Sequence, residues 1–198
     1  MPVTHDARST MFGLAAHAEL YHRLTHRVFG PLHRRIVTDV TTAAPAGTGR
    51  VLDVGTGPGR IPLAIARAAG QLRLDGIDLS PAMVAAARRA RTAAGLTDRV
   101  TFEVGDVARL PYPEASFDLI ISSLSLHHWT DPTAGIRELR RVLAPAGQIW
   151  IYDARPALRR AVTAAHATFP RSDIRVEAVR TGRLPFAVAG RLLLRQPA

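Results

Sequence analysis

Asp53, Gly55, Thr56, Gly57 and Gly59 sit in the run Arg50-Val-Leu-Asp-Val-Gly-Thr-Gly-Pro-Gly59, where residue type and spacing suit ligand chemistry. Val51 to Val54 are apolar or β-branched apart from the acid, which suits a buried strand. Three glycines in five residues let the backbone turn sharply and let a ligand reach its amides without a Cβ in the way. Ile61 onward reads as a buried helix, so the glycines occupy a strand-to-helix turn. There, free N–H groups and the helix dipole favour polar, electron-rich ligand groups. A second acid, Asp78, ends the strand-like run Leu74-Asp-Gly-Ile-Asp78, 19 residues after Gly59. In a nucleotide-binding α/β unit, an acid at that place accepts hydrogen bonds from ribose hydroxyls. A third set is His127-His128, just after the strand-like Phe117–Ser123. Imidazole titrates near neutrality, so either ring could serve as a base, with His127 the stronger candidate and His128 better placed to touch an acceptor.

The ligand is decided by the details of the turn. A dinucleotide fingerprint would require a third glycine where Arg60 stands. The pattern Asp-x-Gly-x-Gly-x-Gly over Asp53–Gly59 instead resembles the first motif of class I S-adenosylmethionine-dependent methyltransferases. Val100-Thr-Phe-Glu-Val-Gly-Asp106-Val107 resembles their third strand and the acid beside it. Phe117–Ser123 resembles their fourth strand. Leu124-Ser-Leu-His-His-Trp129 and Arg140-Arg-Val-Leu-Ala-Pro-Ala-Gly147 resemble the small-molecule, ubiquinone-biosynthesis-like branch, methyltransferase type 11. The resemblance implies S-adenosyl-L-methionine as cofactor. It places Gly55, Thr56, Gly57 and Gly59 against the methionine part, with Ser123 beneath that part. Asp78 and Leu79 fall on the ribose side, and Asp106 with the Val107 amide on the adenine. Asp53 orients the turn and holds the amino group through water. The implied reaction is in-line displacement at a sulfonium methyl, in which a protein supplies alignment, desolvation and sometimes a base.

The elements that would position these groups alternate. The spacing predicts a first helix over Leu14–Phe29, broken by Gly30-Pro31, and a second from about Leu32 to Thr42. Further helices are expected over Pro81–Ala94, over Asp131–Leu143 with Pro145 and Gly147 as its stop, and over Pro156–Phe169. Gln148–Tyr152 reads as a fifth strand, and Asp173–Arg180 and Phe186–Arg195 as a closing hairpin. A short connection makes such a pair antiparallel. The expected fold class is α/β: a Rossmann-like, doubly wound, mostly parallel seven-stranded sheet with an antiparallel C-terminal hairpin and an N-terminal helical lid. The expected division is a lid over 1–45 and a cofactor-binding methyltransferase domain over 46–198. The lid would bring Tyr21 to the acceptor.

Composition narrows the class. At 198 residues, one α/β domain can bury a full core. No export signal or long apolar stretch is read, so the expected location is cytoplasmic with no membrane span. The net charge is +10, yet all 26 basic residues are arginine and both lysine and asparagine are absent. The two missing residues have AA-rich codons, so a GC-rich genome accounts for the charge, and a nucleic-acid substrate is disfavoured. The Arg155–Arg195 tail keeps an RNA or protein methyltransferase as an alternative, alongside a non-catalytic cofactor-binding relative. Glu19, His22 and His26 fall on one helical face, but no cysteine or second acidic cluster supports a metal. With one helix between the fifth strand and the hairpin, the acceptor site would be roofed mainly by residues 1–45, open or completed by a homodimer. The acceptor classes are quinone-like, polyketide or lipid-derived small molecules.

Overall fold

β1 (Arg50–Val54) is the centre of the molecule, buried on both faces, with β2 (Arg73–Asp78) on one side and β4 (Phe117–Ser123) on the other. The computed structural model describes residues 30–43, 49–170, 173–180 and 189–196. Seven strands form one sheet in the order β3-β2-β1-β4-β5-β7-β6, where β3 is Val100–Val104, β5 Leu143–Asp153, β6 Ile174–Val179 and β7 Ala189–Arg195. The first five are parallel, and β7 runs antiparallel to both β5 and β6. The chain therefore steps outward from β1 in opposite directions. That switch point opens a crevice at the carboxyl ends of the neighbouring strands.

Successive side chains of a strand point to opposite faces, and the core divides accordingly. Leu52, Ile120, Ile149 and Ile151 pack with α4 (Pro132–Val142) and α5 (Arg155–His166). Val51, Ile121, Trp150 and Tyr152 pack on the other face with α1 (residues 30–43), α2 (Arg60–Ala68) and α3 (Pro81–Ala93). Leu32, Ile36 and Val40 bury the inner stripe of α1. A polar clasp reinforces it: the Tyr152 hydroxyl donates to Asp39 at 2.9 Å, and Arg191 reaches Asp39 at 3.1 Å and Glu177 at 2.7 Å. The α3 start is capped by Ser80 with Pro81 following, and the α4 start by Asp131, whose carboxylate accepts from Thr133 and Ala134.

Several boundaries differ from the sequence expectation. Gly30 and Pro31 are already helical, because a proline without its N–H is tolerated in a first helical turn. α4 stops at Val142, since Leu143 turns extended and starts β5 at once. Pro145 and Gly147 therefore lie in a register shift of β5, where Leu143 pairs with Phe117 and pairing resumes at Leu119–Gln148. α5 ends at His166, short of Phe169. The expected Leu14–Phe29 helix, Tyr21 and the Glu19–His22–His26 set lie outside the described residues.

Candidate active site

The glycine turn is built from inside. The amides of Gly55 and Thr56 both donate to the Ile77 carbonyl, at 2.8 and 3.0 Å, and Gly59 donates to the Thr56 carbonyl at 3.1 Å. The Gly57 amide donates to Asp78 Oδ2 at 2.8 Å, and Asp78 Oδ1 accepts the Ser80 amide at 2.9 Å. This corrects the expectation that the turn amides face a ligand: these four are already satisfied within the fold. What the turn offers is shape. A Cβ on Gly55, whose φ is +72, would strike the Ser125 side chain at 2.2 Å. A Cβ on Gly57 would meet nothing within 4 Å, so the space above it is open to a ligand.

Asp53 lies beneath this turn, 2% exposed, with Oδ2 accepting the Thr56 hydroxyl at 2.8 Å and Oδ1 buried without a partner. Burial pushes its carboxyl up to about 7, and the nearby Asp78 charge adds to the rise, while the Thr56 hydrogen bond opposes it. A half-satisfied buried acid so close to a cleft is suited to a cationic ligand group, the kind a methionine ammonium presents.

A cleft runs from the turn across the ends of β1, β2 and β3. Gly55, Asp78, Leu79, Asp106, Val107 and His128 all line it, together with Val54, Ile77, Gly105, Trp129 and Thr130. Leu79 is 71% exposed, an apolar side chain free to cover a flat ring. Asp106 turns one oxygen inward to the Ala108 amide at 2.9 Å. Its loop is clamped from behind by Glu138 and Arg141 of α4. Glu138 accepts the Leu110 amide, and Arg141 donates to the carbonyls of Leu110 and Tyr112. The hydrogen bonds from Arg141 and from Leu110 hold the Glu138 carboxyl below its usual range.

Asp53, Thr56, Gly57, Gly59, Ser123 and His127 do not line that cleft. Asp53 and Thr56 support the turn, and Gly59 packs against Phe102. Ser123 Oγ, at the end of β4, is buried with no partner. Beyond it Leu124 takes a φ of +52, and Leu126–His128 form a single 3₁₀ turn. Ser125 ties this corner down: its hydroxyl lies 2.7 Å from Ser122 Oγ, donates to the Val54 carbonyl at 3.1 Å and receives the Trp129 indole N–H at 3.3 Å. His127 Nδ1 sits 3.2 Å from each carboxylate oxygen of Asp153, and its ring lies 4.0 Å from that of His128. Sequence reading missed Ser125, Trp129 and Asp153. For Asp153 a signal existed, since it ends an apolar strand just as Asp78 ends β2.

The doubly wound sheet with its antiparallel last strand, the glycine turn and the acid after β2 define a class of protein. Residues 51–147 match the family model described as a methyltransferase domain. Over those residues the chain carries a methyltransferase domain, similar to that of S-adenosylmethionine-dependent methyltransferases. Among similar proteins, the demethylmenaquinone methyltransferase of Deinococcus radiodurans is 39% identical over 107 residues, 54% of this chain and 44% of that protein. The 27-O-demethylrifamycin SV methyltransferase of Amycolatopsis mediterranei is 38% identical over 131 residues, 66% of this chain and 44% of that protein. The chain thus spans less than half the length of either relative. Of solved structures, a S-adenosylmethionine-dependent methyltransferase from Aquifex aeolicus superposes with a TM-score of 0.64 at 20% identity, covering 80% of this chain and 89% of that one. The cyclase SpnF superposes at 0.70 with 24% identity, covering 84% and 81%. At such identities these two speak for the fold alone.

Proposed function

We propose that the protein transfers a methyl group to a small-molecule acceptor seated beside the ends of β4 and β5. S-adenosyl-L-methionine would supply the methyl on a sulfonium, an activated leaving group, so the chain's task is alignment and exclusion of water. The observation that carries the reading is the single cleft at the switch point that joins Gly55, Asp78, Leu79, Asp106 and Val107 to His128. Asp78 would accept the ribose hydroxyls with lone pairs left over from its two backbone bonds. Leu79 and Val107 would sandwich the adenine beside Asp106. Gly57 would leave the approach to the methionine part open, Asp53 would orient the turn from beneath and hold the amino group through water, and Thr56, Gly59 and Ser123 would fix the walls. The histidine corner borders the place where the acceptor must lie.

The names of the similar proteins support a small acceptor: a demethylmenaquinone, a rifamycin and an alkaloid are the substrates those names imply. In this reading residues 1–45 act as a lid that brings Tyr21 to the acceptor, a second copy of the chain could complete the roof, and the enzyme works in the cytoplasm. Among the described residues no helix is long and apolar enough to cross a membrane. Calorimetric titration tests the cofactor assignment: S-adenosylmethionine and S-adenosylhomocysteine should bind with micromolar-scale affinity and NAD should not. Tight NAD binding with no S-adenosylmethionine signal overturns it. Labelled methyl transfer into phenolic, quinol and amine acceptors then sorts the substrate class.

A further inference from the structure

On the face of the sheet away from α4 and α5, the helices α1, α2 and α3 enclose a groove of about 820 Å³ that shares no lining residue with the cofactor cleft. Its walls are apolar where Val37 of α1, Ala64 of α2 and Ala86 and Ala90 of α3 meet. Arg34, Arg60 and Arg67 are set into those walls, and no aspartate or glutamate lines the groove. Ala64 and Arg67 follow Arg60 by four and seven residues, so the three share one face of α2. Arginines elsewhere are tied to acids: Arg35 to Asp39, Arg50 to Asp75, Arg141 to Glu138 and Arg191 to Glu177. Arg34, Arg60 and Arg67 have no carboxylate partner among the described residues. Codon bias sets how many arginines a chain has, but it does not gather three in one groove and keep acids out. The charge is also uneven along the groove. Arg60 directly follows Gly59, in the first turn of α2, where the helix dipole disfavours a cation and no acid offsets it. α1 ends beside Gly49 and Leu72, at the amino ends of the strands, so Gly30 lies at the opposite, glycine-turn end. Arg34 Nη1 is 3.7 Å from where a Cβ on Gly30 would stand, so its head is folded back toward Arg60. Arg67, in the last turn of α2, is about 10 Å further along.

We infer that this groove is a second ligand site, for an amphipathic anion: a single hydrocarbon chain ending in an oxyanion such as a phosphate. The head sits between Arg34 and Arg60 beside the glycine turn, where two guanidinium forks match its oxygens. The chain runs from there over Val37, Ala64, Ala86 and Ala90 toward Arg67. Burying hydrocarbon against those side chains is favourable, and the volume lies in the range of small-ligand pockets. An inorganic anion leaves the apolar walls wet, and an uncharged chain leaves the two guanidiniums without a counter-charge. Only a ligand with both halves satisfies both parts of the groove. Neither arginine lines the cofactor cleft, so binding here is independent of methyl transfer.

Calorimetric titration of the full chain with decyl phosphate, kept below its micelle concentration, tests the site. Decyl phosphate should bind once per chain, at least about tenfold more tightly than decanol or inorganic phosphate, and decyltrimethylammonium should not bind. Arg34→Gln and Arg60→Gln should each weaken decyl phosphate about tenfold, the worth of a hydrogen bond to a charged group. Ala64→Glu, which sets a carboxylate among the walls, should abolish binding. Arg159→Gln, in the cavity between α5 and β6 on the other face of the sheet, should leave the affinity unchanged. Melting curves show that each variant is folded, and two arginines on different helices keep the test open should one variant fold poorly. Three results overturn the site: no decyl phosphate binding by the wild type, equal affinity for decyltrimethylammonium, or a loss in Arg159→Gln in place of the groove variants. Inorganic phosphate binding as tightly as decyl phosphate overturns the amphipathic ligand. Sedimentation with phosphatidylglycerol vesicles, without binding of monomeric decyl phosphate, would make this face a membrane contact and overturn the ligand site as well.

Discussion

The two ends of the crevice are built on different principles. At the β1–β2–β3 end the site is mostly backbone: a glycine turn, its amides satisfied by Ile77, Thr56 and Asp78, and a loop clamped by α4. At the β4–β5 end it is mostly side chain: Ser122, Ser125, Trp129, His127 and Asp153, drawn from two strands and the turn between them. Backbone geometry suits a ligand that never varies, because a turn cannot be retuned residue by residue. A side-chain corner can be rebuilt for a new acceptor while the sheet stays as it is. The cofactor end should therefore fail through folding and affinity together, and the acceptor end through turnover alone.

The most severe test of that contrast lies in the glycines. Gly55→Ala combines a positive φ with a 2.2 Å collision against Ser125, and it should lower stability by about 3 kcal/mol in urea unfolding. Gly57→Ala meets no neighbour and has only its φ of +55 to overcome, about 1 kcal/mol. Its methyl group enters the open space, however, so S-adenosylhomocysteine affinity should suffer more than stability. Normal binding by Gly57→Ala would break the picture of an open cradle there.

Asp78→Ala should weaken S-adenosylhomocysteine binding by about 1–3 kcal/mol through loss of a charged acceptor. It should also lower thermal stability, because Asp78 holds the Gly57 amide. A fall in affinity with no change in melting temperature would separate the two roles.

Asp53 sharpens the comparison through pH. Its carboxyl rises from 3.8 to about 7 in the folded protein because of burial first and Asp78 second. The unfolded acid ionises first, so the stability contributed by the neutral form is complete below about pH 3.8 and is lost as pH climbs to about 7. Asp53→Asn keeps the shape, removes this dependence, and should raise stability at pH 8 by about 1–2 kcal/mol while weakening cofactor binding. Melting curves at pH 5 and pH 8 for both proteins check it, and a wild-type pH slope that survives in the variant would move the effect elsewhere.

Smaller effects lie behind the cleft and on the surface. Arg141→Ala removes the clamp on the Leu110–Tyr112 carbonyls and should cost about 1 kcal/mol in cofactor affinity by loosening the loop of Asp106 and Val107. Duplex DNA or RNA should associate only weakly, with binding that fades steeply in salt. Sub-micromolar, sequence-selective RNA binding at physiological salt would shift the acceptor class away from small molecules.

What the sequence determined by itself is the strand–turn–helix unit of β1 and α2 and the acid that ends β2. The spacing from Asp53 through the glycines to Asp78 is local or nearly so, and strand, turn and helix each announce themselves by period and residue type. The antiparallel pairing of β6 and β7 likewise followed from a short connection. Tertiary structure decided the rest. Asp153 and His127 are separated by 26 residues and meet only because β4 and β5 are neighbours in the sheet. The path of Pro145 and Gly147 depended on the partner strand, since pairing with Phe117 recruits Leu143 into β5 before the helix can run on. The turn amides were spoken for by Ile77 and Asp78 of the adjacent strand, which no local pattern could reveal. Local periodicity records what a segment prefers; which groups converge is fixed by strand order, because only the sheet brings distant strand ends side by side.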